Sequence, residues 1–375
     1  MLVPVLVLLA AVALSYSLSD VVTKDDVLGL FSLVASASFV PLAAFYCRCL
    51  VDLKRLLYVL IIGGMLQVPV VLAQAAGLAN NLPGGLAQLS PAKFGGSLAG
   101  RVGTAAAQST IVTRYPGSFG DYENLAEYCG IIVLLCAGLL LFNRGSWRSA
   151  LLAVGMATMA VAGWLTGTRG FVLGTAGGVA ILLLAALLLT GPRLSRVWRL
   201  AGAVGLSVIT VVAFVPAQVT RGFLSRLASP DMSLSGPNAL DRLSLFRAWL
   251  KLARTMPASG YGTRMHEMVK ISDPIHVGWP HSLYFWGLLT AGFFGLVAVV
   301  LLVTAAVVLP CRTIFFRAPA GYREIACVFA AVTIYWAASE AKIEFVRNYF
   351  YVDIVFLLFG VVSSLYALSR DASAV

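Results

Sequence analysis

The chain has 375 residues, 60% of them hydrophobic and 11% charged, with a mean hydropathy of +0.90. Soluble domains carry about 25% charged residues, so a soluble globular enzyme, a disordered chain and a disulfide scaffold are excluded at once. The formal net charge is +11, from 27 Lys and Arg against 16 Asp and Glu. In a soluble protein that excess would point to nucleic acid. In a membrane protein it must first be sorted by topology, because cytoplasmic loops collect Lys and Arg.

A spanning helix needs about 20 mostly apolar residues, which predicts an all-α polytopic membrane protein with about ten transmembrane helices. The runs lie near 1–18, 27–46, 56–75, 125–142, 149–166, 171–189, 200–216, 283–309, 324–340 and 349–368. The first has no basic start and no clear small-x-small cleavage site, so it reads as a helix rather than a secretory signal. The runs are continuous rather than alternating, which excludes a transmembrane β-barrel. Residues 1–375 read as a single integral membrane domain.

Arg48, Lys54 and Arg55 follow the second run, Arg144 and Arg148 the fourth, and Arg193, Arg196 and Arg199 the sixth. Arg312, Arg317 and Arg323 follow the eighth and Arg370 the last. Every alternate loop is basic, which predicts that these loops and both termini are cytoplasmic. Two long loops, 76–123 and 217–281, then lie outside. By this topology about 12 basic residues face the cytoplasm and about 15 lie outside, so the positive-inside rule explains only part of the charge. The six cysteines do not cluster in the outer loops and read as packing residues. There is no Walker loop and no nucleotide fingerprint, so ATP-driven work is not expected.

Polar chemistry collects in three places. Arg169 sits in Thr166-Gly-Thr-Arg-Gly170, a short outer break between two apolar helices. Positive charge is depleted in short outer loops, so an arginine flanked by glycines there points to a polar cavity or a bound anion. A snorkelling arginine at the headgroups is the plainer option. Next, Leu243, Phe246, Trp249, Leu250 and Ala253 repeat at helical spacing within 241–254, ahead of Pro257 and Gly260-Tyr-Gly262. The pattern predicts an amphipathic helix in the long outer loop, stopped by the proline and a glycine turn. Arg242 is placed in its first turn, opposed by the helix dipole, and is expected to be held there by Asp241 or by a phosphate. Such a helix lying flat on the membrane surface is a further option.

Last comes Trp279-Pro-His-Ser-Leu-Tyr-Phe-Trp286, which runs into the helix of Gly292 and Gly295. His281 stands at the mouth of that helix, and histidine is suited to moving a proton near neutral pH. A histidine satisfied by a loop carbonyl is the alternative. His266, His276 and His281 match no standard zinc spacing, so no metal site is expected. The aromatics Trp279, Tyr284, Phe285 and Trp286 fit either sugar stacking or the ordinary interfacial belt. Glu340, Lys342, Glu344 and Arg347 form a short charged turn in which opposite charges can pair at helical spacing.

These elements, in this order, resemble the O-antigen ligase and O-antigen polymerase superfamily. The matching residues are Thr168-Arg169-Gly170, then Arg242 through Phe246 with Pro257, Gly260 and Gly262, then Pro280-His281-Ser282 with Gly292 and Gly295. A weaker match is the stretch from Tyr115 to Ala126. Ser282 stands where the family more often has asparagine, and Tyr122-Glu123 where it has Pro-Asn. The resemblance implies a glycosyltransferase of a bacterial cytoplasmic (inner) membrane. It would move a glycan from a polyprenyl (undecaprenyl) diphosphate carrier to an acceptor hydroxyl on the outer face, with inversion and without metal or other cofactor. Arg169 and Arg242 would hold the diphosphate, His281 would act on the acceptor hydroxyl, and Arg247, Trp279 and Tyr284 would line the substrate site. The partners implied are the lipid-linked donor, a glycan or lipid acceptor and membrane lipid, with no nucleic acid. A transporter or flippase of a lipid-linked glycan or small solute is the competing class, although no internal repeat supports it. A structural scaffold is the third.

Overall fold

The computed structural model describes residues 1–78, 92–94, 112–119, 121–142, 145–189, 194–227, 237–272, 280–315 and 318–374. The helices are α1 (Leu2–Ser17), α2 (Lys24–Ala37), α3 (Phe39–Tyr46), α4 (Leu50–Met65), α5 (Gln67–Ala75), α6 (Tyr122–Phe142), α7 (Ser146–Leu165) and α8 (Arg169–Leu189). They continue as α9 (Leu194–Phe214), α10 (Ala217–Leu227), α11 (Pro237–Thr255), α12 (Met265–Ser272), α13 (Leu283–Phe315), α14 (Ala320–Glu340) and α15 (Tyr349–Ala374). Two three-residue strands, β1 (Ala92–Phe94) and β2 (Val112–Arg114), pair antiparallel with Lys93 opposite Thr113.

Among the described residues, eight helical stretches are long and apolar enough to cross a membrane, against the ten runs expected. The two others have physical reasons. Helix α1 is apolar but only 16 residues long, and α14 carries Arg323, Glu324 and Glu340 within its 21 residues. The span Asp26–Tyr46 joins α2 and α3, and Leu50–Ala75 joins α4 and α5.

The chain divides into two compact units. One comprises Met1–Arg48, Ser229–Arg312 and Ala337–Asp371; the other comprises Cys49–Ala228, Thr313–Trp336 and Ala372–Val375.

In the second unit α6 is the central helix, with its whole spanning window buried. Asp121 starts it by accepting hydrogen bonds from the backbone N–H groups of Glu123 (2.7 Å) and Asn124 (3.3 Å), which satisfies donors that a helix end leaves open. Small residues let the neighbours close in, as expected where lipid supplies no hydrophobic drive. Tyr335 packs against Gly130 of α6 and Gly174 of α8, and Val328 packs against Gly138.

In the first unit Thr23 and Asp26 form a capping box at the start of α2. Helix α13 is broken at Ala291 and Gly292, where Gly292 has φ 64 and ψ −153. The break is stitched by its surroundings. The Leu289 carbonyl accepts the Tyr261 N–H at 2.7 Å, and the Thr290 carbonyl accepts the Ser15 hydroxyl at 2.6 Å. Gly260 (φ 80) and Gly262 (φ 55) shape the turn that delivers Tyr261. A Cβ on Gly292 would land on the Ala258 carbonyl oxygen, in a backbone region open essentially to glycine alone. Gly292→Ala is therefore expected to cost about 3 kcal/mol or more from strain and overlap together. Its thermal unfolding midpoint in detergent should fall sharply, or folded protein should be lost.

Candidate functional site

The Arg169 motif lies in the second unit. Helix α7 ends at Leu165, and Gly167 turns the chain at φ 62 with its N–H on the Trp164 carbonyl at 3.0 Å. The Thr166 hydroxyl donates to the Gly163 carbonyl at 2.6 Å and its oxygen accepts the Thr168 N–H at 3.3 Å. Phe171 folds back so closely that a side chain at Gly163 would strike its ring. Half-buried Arg169 is then the first residue of the 21-residue helix α8. A guanidinium and the open N–H groups of a helix start attract the same ligand, an anion. The segment before α6 lies against this turn, with the Tyr115 N–H on the Leu165 carbonyl at 3.3 Å. Burial pushes the Tyr115 phenol above its ordinary pKa.

The other two motifs lie in the first unit, where α11 is pinned to the start of α13. The fully buried Trp249 donates its indole N–H to the Pro280 carbonyl at 3.0 Å, and Phe246 stacks on Phe285 with ring centroids 5.4 Å apart. The arginine-bearing helix and the Pro280-His281-Ser282 segment are thus one assembly. His281 is half-buried, one residue outside the hydrogen-bonded start of α13, where the Trp286 N–H reaches the Ser282 carbonyl at 2.8 Å. Its φ of 51 is the one positive value at a non-glycine among the described residues. Histidine tolerates that region better than most residues, but at a cost, and such strain concentrates at functional sites.

Two expectations about α11 need correction. The helix starts at Pro237 rather than near Asp241, so Arg242 is not in its first turn and not directly against the dipole. Proline at the first helical position is the signal, since its missing N–H costs nothing there. The face packed into the unit is Leu245, Trp249 and Leu252, whereas Leu243 and Leu250 are 44% and 52% exposed. Trp249 is buried as the expected stripe implies, and the flanking leucines that join it in the packed face are Leu245 and Leu252. Its end is as expected: the Tyr261 hydroxyl donates to the Leu252 carbonyl at 3.0 Å just past Thr255.

Of the remaining residues, Arg247 is exposed on α11 and Tyr284 half-buried in the first turn of α13. Trp279 and His276 lie outside the described residues, as does the side chain of Arg242. His266 is exposed on α12. Among the described residues no three His, Cys, Asp or Glu side chains gather as metal ligands would. In the charged turn after α14, Glu340 and Glu344 are buried, and the Glu340 carboxylate accepts the Phe345 N–H at 3.0 Å. Asn124 and Glu127, both buried in α6, were not expected to be polar core residues.

Trp249→Phe keeps the packing but leaves the buried Pro280 carbonyl without its donor, a loss of about 1–3 kcal/mol. A lower unfolding midpoint, together with reduced turnover from a displaced His281, is the expected result in parallel thermal and activity measurements.

No curated protein matches the chain. Residues 154–300, which carry the Arg169 turn, helix α11, the glycine turn and His281, match the family model described as O-antigen ligase, so this part of the chain is similar to that family.

Proposed function

We propose that this protein is a membrane glycosyltransferase of a bacterial cytoplasmic membrane, with its site on the outer face and both termini in the cytoplasm. It moves a glycan from an undecaprenyl diphosphate carrier to an acceptor hydroxyl of a glycan or lipid. The carrying observation is the strained His281, held at the start of α13 by the Trp249 hydrogen bond that also fixes the arginine-bearing helix α11. A histidine there serves as general base toward the acceptor hydroxyl. Arg169 and Arg242 bind the diphosphate, whose oxygens arginine grips bidentately, and offset its charge as the anomeric bond breaks. Attack opposite the leaving diphosphate inverts the anomeric carbon. The donor is already activated, so the reaction draws on no nucleotide and no metal. Arg247 and Tyr284, on the two elements joined by Trp249, extend the site toward the substrate, with Trp279 beside His281 in sequence.

Deleting the gene tests this reading in cells. The carrier-linked glycan is expected to accumulate while its surface-attached form disappears. An unchanged surface glycan with no accumulated donor would contradict it.

A further inference from the structure

We propose that Arg148, Arg196, Arg199 and Arg323 form a binding site for the phosphate of an anionic phospholipid, a site that goes beyond the glycosyltransferase reading and does not depend on it. All four belong to the second unit. Arg148 lies in the first turn of the 20-residue helix α7, whose other end leads into the Arg169 turn. About 30 Å of helix, at 1.5 Å per residue, separates the two. The Arg199 guanidinium on α9 crosses to α7 and donates to the Ser149 hydroxyl at 3.1 Å, next to Arg148 in the chain. One turn earlier on α9, Arg196 pairs with Glu324 at 4.0 Å, next to Arg323 at the start of α14. These contacts bring four arginines from three helices to one end of the unit.

The arrangement favours an anion. Glu324 offsets one of the four charges. Arg196 and Arg199 stand three residues apart on one face of α9, where like charges repel. Arg323 is the fourth residue of α14, an end whose dipole opposes a cation and favours a phosphate. Its Nε makes no hydrogen bond among the described residues, so the protein does not use the whole guanidinium. Arginine meets phosphate oxygens through a planar fork. The site is open to a headgroup, because Arg148 is exposed and the other three arginines are half-buried. The surroundings select a lipid over a soluble anion. Trp147, Leu194 and Trp198 flank the arginines on α7 and α9 and are 67%, 70% and 68% exposed. Exposed tryptophans mark the headgroup level of a membrane, and the apolar surface beside them meets acyl chains. Basic recesses between spanning helices hold anionic headgroups in this way. Inorganic phosphate would meet the charge and leave the apolar flank unused.

The test uses the full-length protein, stripped of lipid in detergent, with phosphatidylglycerol, phosphatidylcholine and inorganic phosphate as probes. Phosphatidylglycerol is expected to bind at least about 10-fold more tightly than phosphatidylcholine and to raise the unfolding midpoint. Arg199→Gln combined with Arg323→Gln should remove that preference. Arg370→Ala, which removes an exposed arginine of the other unit, should keep it. Glu324→Gln releases Arg196 from its carboxylate and should tighten phosphatidylglycerol binding several-fold, a gain that a damaged fold would not produce. Equal binding of the two lipids by the wild type, a double variant that keeps the preference, or a Glu324→Gln that weakens it would overturn the site. Inorganic phosphate at millimolar concentration is expected neither to raise the midpoint nor to displace the lipid. If it does both, the lipid assignment fails.

Discussion

Replacing His281 by alanine is expected to lower glycan transfer by about 10²–10⁴-fold, the usual contribution of a positioned general base. Expression should be unaffected, because the side chain is only half-buried and the fold around it is held by Trp249 and Pro280. The backbone offers a sharper version of the experiment. With φ at 51, His281 occupies a region that glycine enters freely and other residues enter at about 1–2 kcal/mol. His281→Gly should therefore be more stable than His281→Ala by about 1 kcal/mol, yet equally inactive. A structural histidine would give the opposite pattern, with activity tracking stability across the two variants. Paired unfolding midpoints and turnover numbers separate the cases.

The second large effect concerns the arginines. Removing one charge-stabilising donor costs about 10²–10³ in rate, so Arg169→Ala and Arg242→Ala should each fall by that amount. Lysine keeps the charge but lacks the planar fork that meets two phosphate oxygens at once. Arg169→Lys and Arg242→Lys are therefore expected to recover only a minor part of the rate, whereas arginines that merely anchor the protein at the headgroups would be rescued by lysine. Rates for the four variants with a carrier-linked glycan decide this.

The parts of this fold that were legible in the sequence are those set by local chemistry. Thr166-Gly-Thr-Arg-Gly170 breaks two apolar runs, and the chain does turn there, with Gly167 at φ 62. Pro257 and Gly260-Tyr-Gly262 stop α11 where expected. What was not legible depends on partners distant in sequence. Gly292 lies inside a continuous apolar run and looks like a small residue for helix packing. That it opens a break closed by Tyr261 and Ser15 follows from hydrogen bonds to Leu289 and Thr290 that span 28 and 275 residues. The buried face of α11 was legible only in part: Trp249 belongs to the expected stripe, but packing buries Leu245 and Leu252 beside it and leaves Leu243 and Leu250 exposed. Asn124 and Glu127 lie in the first two turns of α6, Glu340 ends α14 and Glu344 follows it, all positions where polar residues normally meet headgroups and water. Their burial follows from the central place of α6 and the packed turn after α14, which no local pattern records.

On the proposed function, the chain transfers a glycan from a lipid diphosphate carrier using its own side chains alone. Purified protein, given the carrier-linked glycan and an acceptor in detergent with EDTA and no nucleotide, should form the transferred product and release undecaprenyl diphosphate, and His281→Ala should not. No product from the wild type under these conditions, together with solute or lipid-linked glycan movement in vesicles containing the protein, would rule out the glycosyltransferase and identify a transporter instead.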